Sequence, residues 1–131
     1  MPLTRISLRA GKSPDYRAAL IRGVYRAMRE TFAVPEDDLF AIVHEHDAAG
    51  FAYGRTYLGI PRDDDLVLIQ ITANATRTTG QKRALYRAIA GNLADDPGVR
   101  PGNVFINLVE VVPENWSFGE GAMQYGPPET T

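Results

Sequence analysis

The chain has 131 residues, of which 44% are hydrophobic and 23% charged, with a formal net charge of −2. This is the composition of one globular domain large enough for a real core, and the charge gives no electrostatic case for nucleic acid or an anionic membrane as partner. There are no cysteines, so disulfides, thiolate metal sites and a cysteine nucleophile are excluded. With no apolar leader and no run long enough to span a bilayer, the default compartment is the cytoplasm.

Pro2 follows Met1. Met-Pro is a start from which methionine is normally trimmed, because the proline ring is small, and trimming leaves a secondary amine as the terminus. An α-amino group titrates near about pH 7.7–8.0, so burial or a neighbouring charge brings it to physiological pH. Such a terminus acts as base, acid or nucleophile without help from histidine or cysteine. If Met1 stays, that nitrogen is an amide and the chemistry is gone.

Leu3 to Leu8 alternates apolar and polar residues and predicts a strand. Gly11-Lys12-Ser13-Pro14 breaks it, with Ser13 suited to cap a helix and Pro14 to begin one. The helix carries Ala18, Ile21, Val24, Tyr25, Met28 and Phe32 at three- and four-residue steps and ends near Ala33, before Pro35. Leu39 to His44 predicts a second strand, and Asp47 to Asp65 a hairpin or extended loop. Leu66 to Thr72 predicts a third strand. Thr78 and Gln81 form a capping box for a helix from Thr79 to Leu93, with Leu85, Ile89 and Leu93 on one face and Tyr86 beside them. Asn103 to Val109 is the matching fourth strand, and residues 126–131 read as a frayed tail.

The two halves, about 2–46 and 66–111, share Tyr25-Arg26-Ala27-Met28 against Tyr86-Arg87-Ala88-Ile89. This suggests a duplicated β-α-β unit within one domain. The expected α+β fold is a four-stranded sheet with two helices on one face, plus short C-terminal strands or a hairpin. The other sheet face carries Ile, Val and Leu that need a cover, and with no third helix available an oligomer supplies it.

Pro2 opening a strand, the duplicated β-α-β unit and Trp116-Ser117-Phe118-Gly119-Glu120-Gly121 resemble the tautomerase superfamily. Val34-Pro35-Glu36-Asp37-Asp38, His44-Glu45-His46-Asp47, Tyr57-Leu58-Gly59-Ile60-Pro61-Arg62 and Arg77 to Tyr86 extend the resemblance to the group that includes malonate semialdehyde decarboxylase. It covers about residues 2 to 125. The resemblance implies a homotrimer without cofactor, an amino-terminal proline at the floor of a pocket near a subunit interface, and small substrates bearing carboxylate and carbonyl groups. The reactions it implies are keto–enol tautomerisation, decarboxylation of a 3-oxo acid such as malonate semialdehyde, or hydration and dehalogenation of haloacrylates. A non-catalytic trimeric binding module is the alternative from another class.

Within that frame Pro2 is the proton carrier. Asp38 falls where the decarboxylase-like group has a functional aspartate and would orient water or substrate, or hold the charge of Pro2; Asp37 is its alternative. Arg77, just before the second helix, can grip a carboxylate with two parallel hydrogen bonds. Where the decarboxylase has two arginines flanking a proline, this chain has Asn74 and Thr76, so Asn74 offers an amide without charge. Arg62 in the connecting loop is a candidate to supply positive charge to a neighbouring subunit. Trp116 and Phe118 are expected to wall the pocket or a subunit contact, and an apolar wall would lower the affinity of the Pro2 amine for its proton. His44 and His46 share a strand face but lack a third nearby ligand, and no metal is expected.

Overall fold

The computed structural model describes residues 1–130; Thr131, the end of the expected tail, lies outside them. Alternation in the first strand, β1 (Leu3–Arg9), buries Thr4, Ile6 and Leu8. The chain continues through α1 (Pro14–Phe32), β2 (Ala41–His46), β3 (Val67–Asn74), α2 (Thr79–Asp95) and β4 (Val104–Val111). The sheet order is β2-β1-β3-β4. β1 pairs parallel with β2, β3 pairs parallel with β4, and the two β-α-β units meet through antiparallel β1 and β3. In this register Ile6 lies beside Val43 and Ile69, and Ile69 beside Ile106. These residues form one apolar face, against which Leu20, Val24 and Met28 of α1 and Leu85, Ile89 and Leu93 of α2 pack.

Both helix starts follow the sequence signals. The Ser13 side chain accepts from the Tyr16 amide. Thr78 and Gln81 exchange side-chain and backbone hydrogen bonds in a complete capping box. The buried stripe of α1 differs from the expected one: Ala19, Leu20, Gly23, Val24, Ala27, Met28 and Phe32 face inward, whereas Ala18 is exposed and Ile21 and Tyr25 sit at the margin. The cause is α2, which packs alongside. A Cβ on Gly23 would stand 2.7 Å from Cδ2 of Leu93, so only glycine permits this approach.

Three further expectations are corrected. β2 starts at Ala41 rather than Leu39, because the amide of Asp38 bonds back to Pro35 O and Asp37 takes φ +69°, holding the chain in a turn. Of the two forms expected for the 47–65 segment, the loop is seen and the hairpin is not; the segment carries two short helical turns, Ala48–Gly50 and Tyr57–Gly59. Arg62 fixes it by donating from Nη1 to the carbonyls of Tyr57 and Ile60 at 3.0 and 3.1 Å. Beyond β4 no strand or hairpin forms among the described residues: a turn at Pro113–Asn115 sends the chain back across the start of β1. The sheet face away from the helices is also mixed rather than simply apolar. Ile42, Phe105 and Val109 are 44, 47 and 37% exposed, but Arg5, Gln70 and Asn107 form a polar row between them, and the Gln70 side-chain amide donates to Asn107 Oδ1.

Candidate active site

The antiparallel pairing of β1 with β3 brings the beginning of the chain and the end of β3 to the same end of the sheet. The parallel partner of β1 begins there too, after the Pro35–Asp38 turn. Pro2, Asp38, Phe40 and Asn74 therefore converge although they are spread over more than half the sequence.

Pro2 is buried. It lies in a cavity of about 220 Å³ lined by Met1, Leu3, Phe40, Trp116, Ser117 and Phe118. Asp38 is 9% exposed. One of its oxygens, Oδ2, is 3.7 Å from the terminal ammonium on Met1, and the other, Oδ1, is buried without a hydrogen-bond partner. An unpaired buried carboxylate oxygen is costly to keep out of water.

The walls are aromatic. The rings of Trp116 and Phe118 stack with centroids 5.4 Å apart, and Phe118 meets the edge of Tyr125 at 4.8 Å. Trp116 is anchored at its other end, where its indole N–H donates to Asn74 Oδ1 at 2.8 Å. Asn74 therefore acts on the wall, and its carboxamide oxygen is already engaged.

Arg77 is turned to the C-terminal end of α1. Its Nη2 donates to Phe32 O at 3.0 Å and its guanidinium lies 4.7 Å above the Phe32 ring. It is near the site but does not line the Pro2 cavity of its own chain. Arg62 is spent on loop carbonyls and does not line it either. Of the paired histidines, His46 stacks against Phe51, and His44 keeps a buried Nε2 without a partner on the sheet face away from the helices. No cluster of three or more metal-binding side chains occurs among the described residues, and no described helix is long and apolar enough to cross a membrane.

Sequence reasoning missed Phe40, read there as strand interior; it is 52% exposed and belongs to the cavity rim. It also missed Gln124 and Tyr125, which brace the aromatic wall. An aromatic residue two positions after an acidic turn was the available signal for Phe40. None existed for Gln124, whose partners are fixed only by the folded turn.

Two family models, each described as tautomerase enzyme, match residues 2–64 and 38–119. The probable tautomerase YusQ of Bacillus subtilis (strain 168) is 41% identical over 124 residues, covering 95% of this chain and 98% of its own. Two solved structures each superpose with a TM-score of 0.88. One is malonate semialdehyde decarboxylase, described with its decarboxylase and hydratase activities and with a variant in which its first-residue proline is alanine; it is 29% identical, covering 94% of this chain and 95% of its own. The other is FG41 malonate semialdehyde decarboxylase inhibited by 3-bromopropiolate, 36% identical, with 94% of this chain and 93% of its own covered. With a sheet of paired β-α-β units, a buried proline just before its interior strand β1 and relatives of this closeness along nearly its whole length, the chain belongs to the tautomerase superfamily.

Proposed function

We propose that this protein is a cofactor-independent enzyme in which Pro2, freed by removal of Met1, carries a proton between positions of a small 2-oxo or 3-oxo carboxylic acid, interconverting keto and enol forms. The observation that carries the reading is the burial of Pro2 in an aromatic cavity; the buried Asp38 carboxylate, 3.7 Å from the ammonium of Met1, is next to the place the Pro2 amine takes as terminus. Apolar walls favour a neutral amine, and the carboxylate favours an ammonium. A neutral Pro2 abstracts the proton α to a carbonyl, and the ammonium so formed returns it to carbon or oxygen. Arg77, outside the cavity of its own chain, is the cation proposed to hold the substrate carboxylate once subunit contacts complete the site, and Asp38 steadies the charge on Pro2.

Among the described residues no cationic side chain lines the cavity within one chain, and apolar side chains such as Phe40, Ile42 and Phe105 stay about half exposed. Both features support a homotrimer in which subunit contacts complete the site and cover the open sheet face.

The test is the rate of phenylenolpyruvate ketonisation by wild type and Pro2→Ala, after intact mass has established that Met1 is absent. A wild-type rate far above background that collapses in Pro2→Ala supports the reading; no wild-type rate, or one that survives the substitution, removes it. A second reading, decarboxylation of a 3-oxo acid, is favoured by the 0.88 superposition on malonate semialdehyde decarboxylase. In it Pro2 is cationic and polarises the carbonyl. Release of carbon dioxide from malonate semialdehyde separates the two.

A further inference from the structure

The segment after β4 carries a device that the proton-transfer chemistry does not itself require. Gln124 uses both ends of its carboxamide on the same turn. Its Oε1 accepts from the Phe118 amide at 2.9 Å, and its Nε2 donates to Gly119 O at 3.1 Å. The turn so closed runs through Gly119, Glu120 and Gly121, all at positive φ (145, 59 and 67°). Left-handed backbone at a non-glycine residue such as Glu120 is unfavourable without outside support. The support comes from Gln124 and from the Tyr125 ring against Phe118. Closing the turn places Phe118 on Trp116, and the two rings together with Phe40 make the apolar side of the cavity over Pro2.

We infer that Gln124 and Tyr125 are positioning residues that build a subsite for an apolar, preferably planar, substituent on the substrate, beyond the carboxylate and carbonyl on which Pro2 acts. The inference rests on the cavity being the substrate site. It extends that reading by naming the substrate class: oxo acids with an apolar side chain rather than the bare three-carbon skeleton. Neither residue touches the substrate; each acts through Phe118. Aromatic walls favour a flat apolar group by stacking and by the area removed from water.

Trp116 is the only tryptophan in the chain, so its fluorescence reports occupancy of this cavity without any turnover. The experiment titrates processed protein with 3-phenylpropionate and, separately, with propionate, neither of which has a proton to shuttle at a keto–enol centre. Wild type is expected to bind 3-phenylpropionate well and propionate poorly. Gln124→Ala loses two hydrogen bonds that hold the wall, and 3-phenylpropionate affinity is expected to fall about tenfold with little change for propionate. Tyr125→Phe, which keeps the ring, retains wild-type affinity, and Tyr125→Ala does not. Far-UV circular dichroism establishes that each variant is folded, and Gln124→Glu, which keeps an acceptor for the Phe118 amide, recovers part of the loss.

Equal affinity for the two acids in wild type overturns the inference, as does an unchanged 3-phenylpropionate affinity in Gln124→Ala or an equal loss for both acids. Because binding is read with non-reacting acids, Pro2→Ala protein still shows the preference if the subsite is real and the proton-transfer role of Pro2 is wrong. The two failures are therefore distinguishable.

Discussion

The indole N–H of Trp116 donates to the side-chain oxygen of Asn74 at 2.8 Å, tying the segment after β4 to the last residue of β3. This bond orients the cavity wall from below, as Gln124 orients it from the side. Asn74→Leu leaves the indole N–H without its partner at a half-buried position. The expected cost is about 1–2 kcal/mol in unfolding free energy, measured by urea denaturation. The fluorescence maximum of Trp116 is expected to shift as the ring loses its fixed setting.

Asp38 carries a prediction about rate. Asp38→Asn keeps the shape of the side chain and removes its charge. Under the proposed mechanism kcat for enol ketonisation is expected to fall about tenfold with KM little changed, because the carboxylate acts on Pro2 and not on the substrate. Steady-state kinetics of wild type and variant measure this, and an unchanged kcat assigns Asp38 to structure alone.

Arg77 has a visible structural role and a proposed chemical one. Its bond to Phe32 O and its stacking over the Phe32 ring together contribute about 1 kcal/mol. A grip on a substrate carboxylate contributes more, because charge-assisted pairs are stronger. Arg77→Ala is therefore expected to lower the unfolding midpoint modestly while raising KM about 10- to 100-fold. A loss of stability with KM unchanged identifies Arg77 as a brace for the end of α1 alone.

Much of this was legible in the sequence, and the parts that were not share a cause. The alternation of Leu3 to Leu8, the caps at Ser13 and Thr78, and the spacing of Leu85, Ile89 and Leu93 are local signals, and they match the observed elements. The buried stripe of α1 was misplaced because the partner that sets it, Leu93 against Gly23, lies seventy residues away along the chain. The same holds at the site. Pro2, Trp116 and Phe118 were readable as residue types and do share a cavity. Arg62 and Asn74 were also readable as polar groups fit for a substrate, but their hydrogen bonds are taken by loop carbonyls and by Trp116. Which polar group is spent on structure is decided by tertiary packing, which spacing does not record.

Asn103 gives a prediction away from the site. It is 2% exposed. Its Nδ2 donates to Asp63 Oδ1 at 2.7 Å, and its Oδ1 accepts from the Asp63 amide at 3.1 Å, latching the 47–65 segment to the start of β4. Asn103→Ala is expected to cost about 2 kcal/mol of stability. The amide of Asp65 first, and the Asn103 side chain next, hold the Asp63 carboxyl below its ordinary value. Its folded value is thus lower than its unfolded one, so its contribution is complete above about pH 4 and is lost as pH falls through the lowered folded value. With one donor removed, the variant should lose less stability than wild type between neutral pH and about pH 3, as read from urea midpoints at the two pH values.

The central position of β1, between β2 and β3, has a consequence in time. The first of the four strands to be made is an interior strand of the finished sheet. Its β2 edge can be filled once residues 41–46 have emerged, but its other edge stays open until residues 67–74 have emerged. The wall over Pro2 comes last of all, from residues 116–118. The sheet is therefore complete on both sides of β1 only once β3 has formed, and the cavity beside Pro2 gains its aromatic wall only when the segment after β4 folds back over β1.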